Sequence, residues 1–129
     1  MKISYHQNNE YIEKDDTTLP EILSIIASLN ATDSNYIHIW KGAFRVSVMG
    51  GHLKRLLLLY SEEGMLLDPA YTENDGKVRM RVDDGTYDTH PINQTITREK
   101  AIEVAHFILE HDAPPKGSTW LSNGLIVSK

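Results

Sequence analysis

The chain has 129 residues, 40% of them hydrophobic and 24% charged, an ordinary mixture for one globular domain spanning 1–129. It contains no cysteine, which excludes a disulfide framework, thiolate metal sites and cysteine nucleophiles, and agrees with a reducing cytoplasm. The formal net charge is −5, so direct binding to nucleic acid is disfavoured for want of a basic footprint.

The opening residues, Met1-Lys2-Ile3-Ser4-Tyr5-His6, form no apolar segment, so no secretion signal is expected. Ile3, Tyr5, Tyr11 and Ile12 flank a polar Gln7-Asn8-Asn9 turn and predict one or two short strands. Thr18-Leu19-Pro20-Glu21 has the form of a capping box. Behind it Leu19, Ile22, Leu23, Ile26 and Leu29 recur at helical spacing and predict one apolar helix face.

From Asn35 to Tyr60 the pattern changes to strands. Tyr36 to Trp40 is rich in β-favouring residues. His38 lies between Ile37 and Ile39 and is expected on the wet side. Phe44, Val46 and Val48 alternate with Arg45 and Ser47, predicting one buried and one wet face. Gly50-Gly51 suits a tight hairpin turn. Leu53 to Tyr60 reads as a central strand covered on both faces. Its run Leu56 to Tyr60 is the longest apolar one and is too short to cross a bilayer.

Met65-Leu66-Leu67 predicts a short strand, and Val78, Met80 and Val82 alternate with Lys77, Arg79 and Arg81 in another. Asn74-Asp75-Gly76 and Asp83-Asp84-Gly85 predict turns. Thr97 is a suitable N-cap for a second helix with Glu99 in its first turn. Ala101, Val104, Ala105, Ile108 and Leu109 make the buried stripe, and Pro114-Pro115 prevents continuation. Two last strands are expected at Thr119-Trp120-Leu121 and Leu125-Ile126-Val127. Short turns between consecutive strands pair them antiparallel. The fold class is therefore α+β: a mostly antiparallel sheet with two helices packed on one face.

The acidic excess is confined to one stretch. Residues 61–90 carry eight acids against three bases, and the rest of the chain balances to zero. No phosphate-binding glycine loop and no nucleophile elbow is present. His106 and His111 stand five apart on a helix and share no face, so no metal site is expected. Asp83, Asp84 and Asp88 lie in or near turns, where carboxylates are solvated and simply ionised, which leaves no catalytic residue to name. Tyr71 and Tyr87, set among those carboxylates, offer apolar anchors beside charge. Trp120 is expected to be core.

Thr97-Arg98-Glu99-Lys100-Ala101 opens the second helix, Ala105 and Phe107-Ile108 lie on it, and Pro115 and Trp120 follow. This stretch, about residues 96–122, resembles a family of bacterial polymorphic-toxin immunity proteins, the α+β family often encoded next to deaminase-type toxins. Its members carry a helix ending in Phe, a Gly-x-x-Pro turn and a following Trp. Here Asp112 stands at the glycine of that turn and Ser118 at the apolar position before the Trp, while Phe107, Pro115 and Trp120 keep their spacing.

The resemblance implies a cytoplasmic antitoxin that binds a cognate toxin domain and blocks its active site, with no catalysis, cofactor or membrane contact of its own. A toxin acting on nucleic acid, a deaminase among them, presents a basic groove that an acidic antidote can occupy. The residues that carry the resemblance are expected to be scaffold. The toxin-binding surface is expected at Tyr71, Glu73, Asp75, Asp83, Asp84, Tyr87 and Asp88. Failing that, it falls on the strand face around His38 and Arg45. The competing readings are a non-inhibitory acidic interaction module and a small enzyme.

Overall fold

The computed structural model describes residues 1–61, 63–67, 77–81 and 87–129, with the backbone alone described for Leu53, 77–81, Tyr87, Asp88 and Asn93. Asn8 and Asn9 adopt left-handed φ of 53° and 61° and close the first hairpin, β1 (Lys2–Gln7) with β2 (Glu10–Lys14). Helix α1 covers Leu19–Ser28 and buries Ile22, Ile25 and Ile26. Thr18 is its N-cap, but the hydroxyl makes no capping hydrogen bond, so the expected capping box does not form. Glu21 turns instead to Lys14, 3.1 Å away.

Strands β3 (Tyr36–Lys41), β4 (Phe44–Gly50) and β5 (Arg55–Tyr60) form an antiparallel meander. The glycines at 50 and 51 do not make a two-residue turn. Gly51, at φ 111°, leads into a 3-10 turn over His52–Lys54. A Cβ on Gly51 would stand 2.6 Å from the Leu29 carbonyl oxygen, so backbone approach, as well as its φ, calls for glycine there. Strands β6 (Gly64–Leu66), β7 (Lys77–Arg81), β8 (Tyr87–Pro91) and β9 (Ile96–Thr97) precede helix α2 (Arg98–His111). Strands β10 (Thr119–Ser122) and β11 (Leu125–Ser128) follow it.

Among the described residues nine strands share one sheet in the order β11-β10-β6-β5-β4-β3-β1-β2, with β9 paired to β5. Every pairing is antiparallel. The hairpin β7–β8 is a separate two-stranded sheet that packs against β4 and the 52–54 turn.

Both helices pack against the sheet on one side. Their apolar faces meet Ile3, Ile37, Ile39, Val46, Val48, Leu56, Leu58 and Trp120, all fully buried. Thr97 caps α2 by accepting from the Lys100 N–H at 3.2 Å. At the other end Asp112 takes φ 57°, ψ 27°, the left-handed conformation usual for a helix-terminating glycine. Lys41 braces that end, pairing with Asp112 at 2.8 Å and donating to the Leu109 carbonyl. Trp120 covers the end of the stripe, and its Nε1–H donates to Ser118 Oγ at 2.9 Å. No helix among the described residues is long and apolar enough to cross a membrane.

Candidate functional site

Of the seven residues expected to bind a partner, Tyr71, Glu73, Asp75, Asp83 and Asp84 lie outside the described residues. Tyr87 and Asp88 open β8, in register opposite Arg81 and Met80 of β7. The acidic stretch therefore includes a hairpin that stands apart from the main sheet, with Asp88 on its second strand and not in a turn. Glu63, near the start of the stretch, is tied down by Lys129 at 2.5 Å.

The sheet face opposite the helices is a second feature, and strand register lays it out in rows. The first row runs Lys2, Trp40, Arg45. The second runs Ser4, His38, Ser47, Leu59. The third runs Tyr11, His6, Tyr36, Met49, Leu57. Alternation predicted a wet face here, yet His6 and Ser47 are each 2% exposed, and Tyr36, Met49 and Leu57 form a small apolar cluster of their own. His6 Nδ1 accepts the Asn35 N–H at 3.3 Å, which requires that nitrogen to be unprotonated. His38 is half-buried, with Nδ1 2.7 Å from Ser47 Oγ.

Aromatic rings connect the rows. His6 lies 5.0 Å from Tyr11, Tyr36 lies 4.9 Å from His38, and His38 lies 6.1 Å from Trp40, all as tilted pairs. The Lys2 ammonium sits 5.5 Å from the Trp40 ring centroid. Beyond Trp40 an open groove of about 340 Å³ is lined by Trp40, Gly42, Ala43, Phe44, Arg45 and Ser61.

On the helix side a smaller cleft of about 110 Å³ lies between β6 and α2, bordered by Leu66, Val104 and Pro115 with Lys100 and Lys116. Among the described residues its lining contains no carboxylate or histidine to move a proton. His106 pairs with Glu110 at 2.9 Å, and the His111 ring lies tilted 4.3 Å from that of Phe107. Among the described residues no group of three or more His, Asp or Glu is placed to hold a metal ion. Tyr60 is the phenol whose environment stands out: burial, then the nearby charges of Glu63 and Asp112, push its ionisation above the usual tyrosine range. It sits in the core against Phe44 and Trp120 and serves the scaffold.

Sequence reasoning offered only His38 and Arg45, as a fallback surface. It missed the row, because Lys2 and Trp40 meet only through the register of β1 on β3. No protein-family model, characterised protein or solved structure matches this chain.

Proposed function

We propose that this chain is an immunity protein: it binds a cognate bacterial toxin domain that acts on nucleic acid, of the deaminase type, and blocks its active site. It acts in the cytoplasm and catalyses nothing itself. The observation that carries the reading is the confinement of the whole −5 to residues 61–90, a stretch whose β7–β8 hairpin leaves the main sheet. An acidic stretch suits a basic substrate groove, where charge speeds and orients the encounter.

The helix–turn–Trp unit adds support. Asp112 adopts the left-handed conformation for which the resembling family uses glycine, and Ser118 gives the Trp120 indole a hydrogen-bond acceptor. The two departures from the family pattern thus sit in geometry that serves the same turn.

The test is association kinetics with the toxin encoded beside this gene, at two salt concentrations. The combined change Asp83→Asn, Asp84→Asn and Asp88→Asn is expected to slow association and flatten its salt dependence, because rim charges act mainly on the on-rate. Tyr87→Ala is expected to speed dissociation, as loss of a desolvated anchor does. A folded triple variant that associates at the wild-type rate would move the interface off this stretch.

A further inference from the structure

Several cations on the described surface are neutralised within the chain: Lys14 meets Glu21, Lys41 meets Asp112, Lys100 meets Glu103 and Lys129 meets Glu63. Lys2 and Arg45, like Lys54 and Lys116, form no ion pair among the described residues, and these two flank the same indole. Glu13, the acid that β2 contributes opposite Ser4, pairs with neither of them. The strand position of Arg45 is fixed. Its N–H donates to Ser61 Oγ at 2.6 Å, and its carbonyl accepts the Ser61 hydroxyl at 3.2 Å and the Ser61 N–H at 2.7 Å. The guanidinium is thereby carried on a rigid base at the mouth of the groove beside Trp40.

We propose that the Lys2–Trp40–Arg45 row and its groove form a docking site for an extended acidic segment of a protein partner. One carboxylate is taken by the Arg45 guanidinium, a second by the Lys2 ammonium, and their methylene stems lie on the Trp40 ring. Two strand spacings place the Lys2 and Arg45 backbones about 10 Å apart, and carboxylates at i and i+2 of an extended segment start about 7 Å apart, a gap long side chains close. Arg45 pairs with a carboxylate through a planar fork, and the stem contacts use the apolar ring face. A single nucleic-acid strand would also stack on an indole, but it needs a continuous basic track. The next rows, Ser4–His38–Ser47 and His6–Tyr36–Met49, supply neutral polar and aromatic groups in place of one. The row uses none of the residues of the acidic stretch 61–90, and either reading can fail alone.

The experiment is a titration of the whole ¹⁵N-labelled chain, followed by amide and indole resonances. The probe is a capped synthetic peptide with two glutamates two residues apart around a central phenylalanine. The Trp40 indole N–H is expected to move, that of buried Trp120 to stay, and the shifts to cluster at Lys2, Arg45 and Ser61. Arg45→Gln and Lys2→Gln, both at exposed positions, are each expected to weaken binding about tenfold or more while leaving the melting curve unchanged. The Asp83/Asp84/Asp88 triple variant is expected to bind the peptide like wild type. Three results would each overturn the proposal: a still Trp40 indole at about 5 mM peptide, equal binding by the peptide with glutamines for glutamates, or tighter binding by a thymidine hexanucleotide.

Discussion

Replacing Trp120 by alanine removes the largest fully buried side chain in the molecule. The indole lies in the helix-side core, 6.0 Å from the Tyr60 ring, on a strand held between β6 and β11. Truncating a buried Trp costs about 3–5 kcal/mol, the transfer term plus the cavity left behind. The indole donor disappears with it, so Ser118 Oγ loses a partner, though that hydroxyl still donates to the Pro115 carbonyl at 2.6 Å. A domain of this size has roughly 5–15 kcal/mol in total, so the change takes a large share. At about 3–6 °C per kcal/mol the midpoint is expected to fall by roughly 10–30 °C. Circular dichroism melts and urea titrations of wild type, Trp120→Ala and Trp120→Phe measure this. Trp120→Phe retains most of the volume and is expected to recover more than half of the loss. A Trp120→Ala protein that melts within about 3 °C of wild type, yet no longer binds its partner, would make Trp120 a contact residue and refute the scaffold assignment.

Gly64→Ala is expected to cost about 3 kcal/mol or more in a urea titration, since its Cβ would stand 2.0 Å from the Leu121 carbonyl oxygen at a φ of 106°. Thr97→Ala is expected to cost about 1 kcal/mol, because its hydroxyl caps α2. Thr18→Ala, which loses no capping bond, is expected to stay within about 0.5 kcal/mol, and equal costs would contradict the assignment of the caps. Burial raises the ionisation of Tyr60 above the ordinary value of 10.0, so the folded state holds the phenolic proton longer than the unfolded chain does. Its contribution to stability is present in full below that value and is lost as pH rises through the raised one. Tyr60→Phe is expected to flatten the decline of stability above pH 10.0, and an unchanged slope would remove Tyr60 as its cause.

Much of this architecture is legible in residue patterns because local and long-range preferences agree. Asn8-Asn9 asks for a left-handed turn and receives one; Thr97 asks to cap a helix and does; the stripe Ala101, Val104, Ala105, Ile108 and Leu109 is buried as its spacing requires. The departures arise where a distant partner outbids a local one. Glu21 has the spacing to reach back toward Thr18, but the β1–β2 hairpin brings the Lys14 ammonium within 3.1 Å, and the charge pair prevails over the capping box. Gly51 looks like half of a tight turn, but it is needed where the chain crosses the Leu29 backbone. Ser47 and His6 look wet by alternation and are buried, because strand pairing assembles a second apolar cluster that no single strand displays. The Lys2–Trp40–Arg45 row is hidden for the same reason. The acidic excess is visible in the sequence alone, since charge sums need no register.

These features divide the molecule's tasks. The fully buried side chains that hold the fold lie chiefly between the helices and one sheet face. Among the described residues the hairpin β7–β8 forms its own two-stranded sheet, outside the main-sheet ladder, and packs against β4 and the 52–54 turn. The proposed antitoxin role calls for such a separation. Its specificity is a difference between affinities for its own toxin and for related ones, and it must change as the toxin changes. A recognition element built into the core would couple each such change to a loss of several kcal/mol. One carried outside the core, on exposed side chains, would vary at about 0.5 kcal/mol or less per substitution. The same argument constrains the second surface. Lys2 and Arg45 are exposed and vary at little cost, whereas His6 and Ser47 in the neighbouring rows are buried and hydrogen-bonded, so recognition there would be read by the Lys2–Trp40–Arg45 row.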